Sequence, residues 1–490
     1  MKNIVNYSLL TLTTAFLFQG CKPDLDVDVA AAKGSADFSK YVAVGNSLTA
    51  GYADDGLYLS GQQASYPSLI AAQMSEVGGG TFTQPLFTSK PNGTGYLTLT
   101  GFSSTGLPVL ETVSTELAVR GVTTPDPVLN PSGVLLDKYT DPINNYGVPG
   151  IRLSDIADAN YSRRNPLYER ILMDGEVGVK PYLTKVAESQ PTFFSCWLGN
   201  NDVLQYAGSG GLVPLTPVPA FQQLYGVLIN TLTQNGAKGV VANLPSVTSV
   251  PLFNTVLATV SSTAKAQLKL ALQANPKLPN FVVCQSGTPD RIGQTSRPAD
   301  TLRIIQLPID SLYGGGQGRS LLTLSVRNNP SLLGMLGQPT GAYWRSFAAQ
   351  NGTTVQNIIA AFKLDTTQAF GFSPKNPFPT GLVLDGREQD VINSYTTQYN
   401  SIIKAAAESK DLAFVDANSF MKEVNAGLLV DGMNVSGAFI SGGFFSLDGV
   451  HLTPRGYAIA ANKFIQTINA KYNSKIPLVS VVKYAGVKFP

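Results

Sequence analysis

Short apolar runs recur along this chain, separated by stretches whose apolar residues fall at helical spacing, and that alternation is the strongest constraint on its fold. Residues 41–44, 192–198, 239–243 and 412–415 are rich in β-branched and aromatic side chains and too short for ordinary helices. They are apolar almost throughout, as strands are when both faces of a sheet are covered. Between them, residues 388–409 place Val391, Tyr395, Tyr399, Ile402 and Ala406 on one helical stripe, and a strand-like run follows at once. Residues 220–232 repeat the pattern with Phe221, Leu224, Tyr225 and Leu228. Near the end, Thr453 reads as an N-cap and Pro454 as the first helical residue, ahead of Tyr457, Ala461, Phe464 and Ile468 on one face. Strands alternating with helices predict an α/β fold with a parallel central sheet.

Two stretches fit this rhythm poorly. Residues 81–142 are rich in Thr, Gly and Pro with little periodicity, and residues 275–381 mix β-like pieces with Gly314-Gly315-Gly316. Both read as long insertions on one domain spanning residues 38–490, placed to form a cap or binding rim. The tail, 475–490, reads equally as an added edge strand or a partner contact.

The N-terminus speaks to compartment. Lys2 opens a short basic segment, and the apolar run from Ile4 to Phe18 is too short to span a bilayer comfortably, so residues 1–20 read as a secretory signal. Leu17-Phe18-Gln19-Gly20-Cys21 resembles a bacterial lipobox, which makes Cys21 the expected lipidation site and residues 21–37 a flexible tether. The expected product is an exported lipoprotein of a bacterial cell envelope, held to the outer membrane by its lipid. Cys196 and Cys284, both inside apolar runs, read as buried free thiols.

Composition narrows the chemistry. A formal net charge of +3 over 490 residues argues against an electrostatic grip on nucleic acid. One histidine and three cysteines are too few for His- or Cys-rich zinc sites, which leaves only an all-oxygen carboxylate site conceivable as a metal centre; no metal and no cofactor is expected. Any histidine chemistry runs through His451.

That histidine lies in Ser446-Leu447-Asp448-Gly449-Val450-His451, just before the last helix. In Asp-x-x-His the carboxylate can fold back to hold the imidazole N–H and fix its tautomer. A serine stands in Gly45-Asn46-Ser47-Leu48 after the first strand, where open α/β sheets present reactive groups. A plain strand-to-helix turn fits that segment alone equally well. Gly150 ends an extended segment, and its missing side chain lets a backbone N–H approach a substrate oxygen. After the 192–198 strand, Gly199-Asn200-Asn201-Asp202 offers an amide donor. With the Ser47 N–H these would give a developing oxyanion three donors.

These four blocks, in this order, resemble the SGNH superfamily of GDSL esterases and lipases. The resemblance implies a three-layer α/β/α flavodoxin-like fold, Ser47 as nucleophile, His451 as base and Asp448 as its orienting carboxylate. It also implies an oxyanion hole of Ser47 N–H, Gly150 N–H and the Asn201 amide. The substrate would be an acyl ester, in a lipid or an acylated glycan. Asn46 departs from the pattern, since the family usually carries aspartate there. Two other readings stand beside it: a carbohydrate acetylesterase, for which the polar insertions speak, and a non-catalytic surface-binding lipoprotein, for which Asn46 speaks. Pro85-Leu86-Phe87 and the 332–336 stretch hint instead at an apolar, lipid-facing cap.

Overall fold

A computed structural model describes residues 32–104, 106–124, 133–256, 281–286, 303–308, 320–323 and 330–490. The expected signal peptide, Cys21 and the first part of the tether lie outside the described residues. Five strands, β1 (Tyr41–Gly45), β2 (Asn145–Gly147), β3 (Phe193–Trp197), β4 (Lys238–Ala242) and β5 (Ala413–Val415), form one parallel sheet. Their spatial order is β2-β1-β3-β4-β5. Four of them are the apolar runs read from the sequence, trimmed or shifted by a residue. The fifth, β2, is only three residues of mixed character, so no apolar run announced it.

The helices that matter are α1 (Ser47–Ala50), α2 (Tyr66–Ser75), α3 (Asn200–Gly208), α4 (Val218–Thr233), α5 (Gly386–Ser409) and α6 (Pro454–Tyr472). Strand β3 shows why its sequence is apolar throughout. Trp197 packs against Tyr66 of α2 and Phe464 of α6, each with ring centroids 5.7 Å away, and Phe193 meets Tyr472 of α6. Cys196 points the other way, beside Tyr225 of α4, and α4 packs on α5 through Phe221 and Tyr399, 3.8 Å apart. Side chains alternate across a strand, so helices cover both faces of the sheet.

The helix ends follow from local chemistry. Asp385 accepts hydrogen bonds from the N–H groups of Arg387 and Glu388, while Glu388 accepts from Asp385 N–H, a reciprocal cap that starts α5 two residues before the apolar stripe suggested. Thr453 Oγ1 accepts from Gly456 N–H at 3.0 Å and Pro454 takes the first position of α6, as expected. Tyr457, Ala461, Phe464 and Ile468 are all buried. Truncating Phe464 to alanine would cost about 3–5 kcal/mol by the usual size of such cavities.

Two expectations need correction. Residues 32–37 do not belong to a tether: Ala32 and Ala36 are buried, Ser35 N–H donates to Tyr472 O, and Lys475 N–H donates to Ala32 O. Among the described residues the packed body therefore already includes Ala32 and Ala36, ahead of Phe38. Within the first insertion, Tyr96–Phe102 pairs antiparallel with Pro108–Val113, and Val119–Val122 with Val134–Leu136. Its period of two was present in Leu97-Thr98-Leu99-Thr100 but masked by the abundant threonine. The tail forms no edge strand. Asn462 and Asn469 of α6 each make paired bonds to its backbone, at Val479 and Ile476, and strap it along the helix.

In the second insertion, Phe281–Ser286 pairs antiparallel with Arg303–Pro308, and helices Ala342–Gln350 and Val355–Phe362 follow. Cys196 and Cys284 are buried free thiols; burial pushes Cys196 up to about 12 and Cys284 well above its ordinary value. Among the described residues no helix is long and apolar enough to cross a membrane.

Candidate active site

The sheet register brings three of the four sequence blocks to one edge. Gly45, the last residue of β1, pairs with Gly147 of β2 on one side and Trp197 of β3 on the other. Ser47, Gly150 and Asn201 each lie a few residues beyond those ends, at the point where the strand order reverses and open sheets form a crevice. A Cβ on Gly147 would stand 2.3 Å from Ala50 N, so only glycine lets α1 lie this close to β2.

Within this edge the three candidate catalytic residues are connected. His451 Nε2 is 2.8 Å from Ser47 Oγ, and His451 Nδ1 is 2.9 Å from Asp448 Oδ2. With Nδ1–H donating to the carboxylate, Nε2 is left to accept from the serine hydroxyl. Asp448 is buried and fully engaged: Oδ1 accepts from Val450 N–H at 2.7 Å and His451 N–H at 2.8 Å, and Oδ2 also accepts from Asp55 N–H at 3.0 Å. Burial opposes its charge, but the neighbouring imidazole and these donors outweigh burial and hold the carboxyl well below the usual range. The Tyr52 ring packs on the imidazole, centroids 4.6 Å apart.

Asn46 is nearly fully buried and caps α1, its Oδ1 accepting from Leu48 N–H at 3.1 Å. Aspartate would do the same at this position. No hydrogen bond ties Asn46 to His451, so the departure leaves the Ser–His–Asp connection whole.

The donors expected for an oxyanion are arranged as follows. Ser47 N–H opens α1, and Gly150 has a left-handed backbone, φ 84°; neither N–H has an acceptor among the described residues. Asn201 Nδ2 donates to Ile151 O at 2.9 Å and Gln205 Nε2 donates to Gly150 O at 3.0 Å, so α3 grips the segment that carries Gly150. The second Asn201 amide hydrogen remains for another acceptor.

Asp202 reinforces that grip and was not legible as a site residue. Its buried carboxylate accepts from Leu153 N–H at 2.7 Å, Ser154 N–H at 3.4 Å and the Thr216 hydroxyl. Burial pushes it up to about 6 despite those donors. The folded chain thus holds this proton more tightly than the unfolded one. The stability this group contributes is full below the unfolded value near 3.9 and declines as pH rises through about 6. Asp202→Asn lacks that decline, so its stability relative to wild type should rise between pH 4 and 7. Urea unfolding across that range checks the sign, and a pH-independent difference would contradict it.

Comparison with protein-family models, curated proteins and solved structures finds no match to this chain. Among the described residues no group of three or more His, Cys, Asp or Glu is placed to hold a metal ion.

Proposed function

We propose that this chain is a serine ester hydrolase of the SGNH (GDSL) type, with a three-layer flavodoxin-like body. The observation that carries the reading is the connected series Ser47 Oγ, His451 Nε2, His451 Nδ1 and Asp448 Oδ2, with links of 2.8 and 2.9 Å. The β2-β1-β3-β4-β5 order supports it, since this is the flavodoxin-like order, with ligands taken at the β1/β3 switch point.

In the proposed reaction Ser47 Oγ attacks the acyl carbon while His451 Nε2 takes its proton. The oxyanion accepts from Ser47 N–H, Gly150 N–H and the Asn201 amide. Collapse expels the alcohol, which receives the proton back from His451, and water then releases the acid by the same steps in reverse. No cofactor is invoked. Asn201→Ala should lower kcat by about 10²–10³-fold, the usual size for one oxyanion donor. Steady-state hydrolysis of a chromogenic short-chain ester measures this, and an unchanged rate would remove Asn201 from the hole.

The acyl ester is sought in lipids and acylated glycans. Of the residues that hinted at an apolar cap, Phe87, Leu332 and Leu336 are buried, while Pro85, Leu86 and Met335 are half-buried. Release of acetate from acetylated xylan, set against release of long-chain acids from lipid esters, separates an acetylesterase from a lipase. The proposal includes export and anchoring through a lipid on Cys21, which labelled fatty acid incorporation, lost in Cys21→Ala, would test.

A further inference from the structure

The turn Ala53-Asp54-Asp55-Gly56 lies between α1 and α2 and is closed by Ala53 N–H to Gly56 O at 3.0 Å and Gly56 N–H to Ala53 O at 2.9 Å. Asp54 and Asp55 both have left-handed backbone, φ 52° and 63°. Two-residue turns of this hand ordinarily take Asn, Asp or Gly first and Gly second, so a non-glycine residue at the second place, Asp55, needs compensating contacts. Those contacts converge on one place. Asp54 N–H donates to Ser446 Oγ, Asp54 Oδ1 accepts from Leu447 N–H, and Asp55 N–H donates to Asp448 Oδ2, each at 3.0 Å. Tyr58 O–H donates to Asp54 Oδ2 at 2.6 Å. Three consecutive residues of the loop that carries Asp448 are thus each held by the turn.

We propose that Asp54 is a positioning residue for the hydrolysis, its carboxylate fixing the backbone from which Asp448 reaches His451. This rests on the serine-hydrolase reading. Asp54 makes no hydrogen bond to His451 or to the Asp448 side chain, so it acts through the Leu447 N–H. Around it stand Asp448, His451 and the phenols of Tyr58, Tyr96 and Tyr457. Its outer side borders a cavity of about 460 Å³ whose lining adds Lys483 and Lys488 from the tail. The tail thereby walls the cavity behind the candidate active site.

Two variants separate position from charge. Asp54→Ala removes the acceptor for Leu447 N–H; Asp54→Asn keeps one, and its amide can donate to the Tyr58 oxygen. On a short-chain nitrophenyl ester, Asp54→Ala should lose about 10–100-fold in kcat, the size found for partners that orient metal-binding side chains and taken here by analogy, with KM within about twofold. Asp54→Asn should recover most of the loss. A second readout needs no turnover: His451 is the only histidine, so its Nδ1–H proton resonance identifies itself. That signal should stay sharp and downfield in wild type and Asp54→Asn, and broaden or move upfield in Asp54→Ala. A folded Asp54→Ala with wild-type kcat and signal overturns the proposal, and so does a loss that Asp54→Asn fails to recover. Should Asp54→Ala not fold, Tyr58→Phe takes its place, with a several-fold fall in kcat and the same movement of the signal expected, and no change in either overturning the proposal. A wild type with neither turnover nor fluorophosphonate labelling would sink the hydrolase reading, while the resonance comparison would still decide the role of Asp54.

Discussion

Ser47→Ala should lower kcat for a short-chain chromogenic ester by about 10⁶-fold, because in a cooperating triad loss of the nucleophile costs nearly as much as loss of all three members. What rate remains would come from binding and the oxyanion donors. The variant should also lose all labelling by a fluorophosphonate, which reports on the nucleophile independently of substrate choice. Folding should be little affected. Ser47 is buried, but its hydroxyl makes one hydrogen bond, to His451, and such a bond is worth about 0.5–1.5 kcal/mol. A melting temperature near wild type with turnover gone would assign the loss to chemistry. Wild-type hydrolysis by Ser47→Ala would refute the assignment, and a folded wild type that takes no label would favour a binding protein on this scaffold.

The sequence made β1, β3, β4 and β5 legible because strands buried on both faces must be apolar along their length, and it made α5 and α6 legible because each buries one stripe. Strand β2 lies in the extended segment that ends at Gly150, but it is too short to stand out as an apolar run: Asn145, Tyr146 and Gly147 pair with Ala43, Val44 and Gly45, and Gly147 allows a close approach to α1. In the candidate site, Asp448 and His451 could be found because Asp-x-x-His is local and the histidine is unique, and Ser47 because it stands in a turn just after the first strand. Asp54, Asp55 and Asp202 could not, because what they touch lies far along the chain: Leu447, Asp448 and Leu153. Only the Asp-Asp-Gly turn signal at residues 54–56 marked that something bent there, and a turn signal says nothing about its target. The boundary of the tether was misplaced for a related reason. Ala32 and Ala36 are small and stand beside Lys33, Ser35 and Asp37, and what holds their segment is the end of α6, where Ser35 N–H donates to Tyr472 O.

His451→Ala should match Ser47→Ala in its effect on kcat, and the double variant should be scarcely worse than either alone, since residues that act as a unit are grossly non-additive. The chain gives this test unusual clarity, because no second imidazole exists to substitute. Asp448 stays ionised in mild acid, because its carboxyl is held well below the ordinary range, and the stability it contributes is lost only as pH falls through that depressed value. Removing the imidazole also takes one donor from Asp448 Oδ2, leaving the buried carboxylate with Asp55, Val450 and residue 451 N–H groups. His451→Ala should therefore be less stable than Ser47→Ala at neutral pH, a difference that thermal unfolding of the two variants would read. If it kept more than about one part in a hundred of wild-type kcat, where loss of the base should leave far less, some other group would be the base and the proposed mechanism would fall.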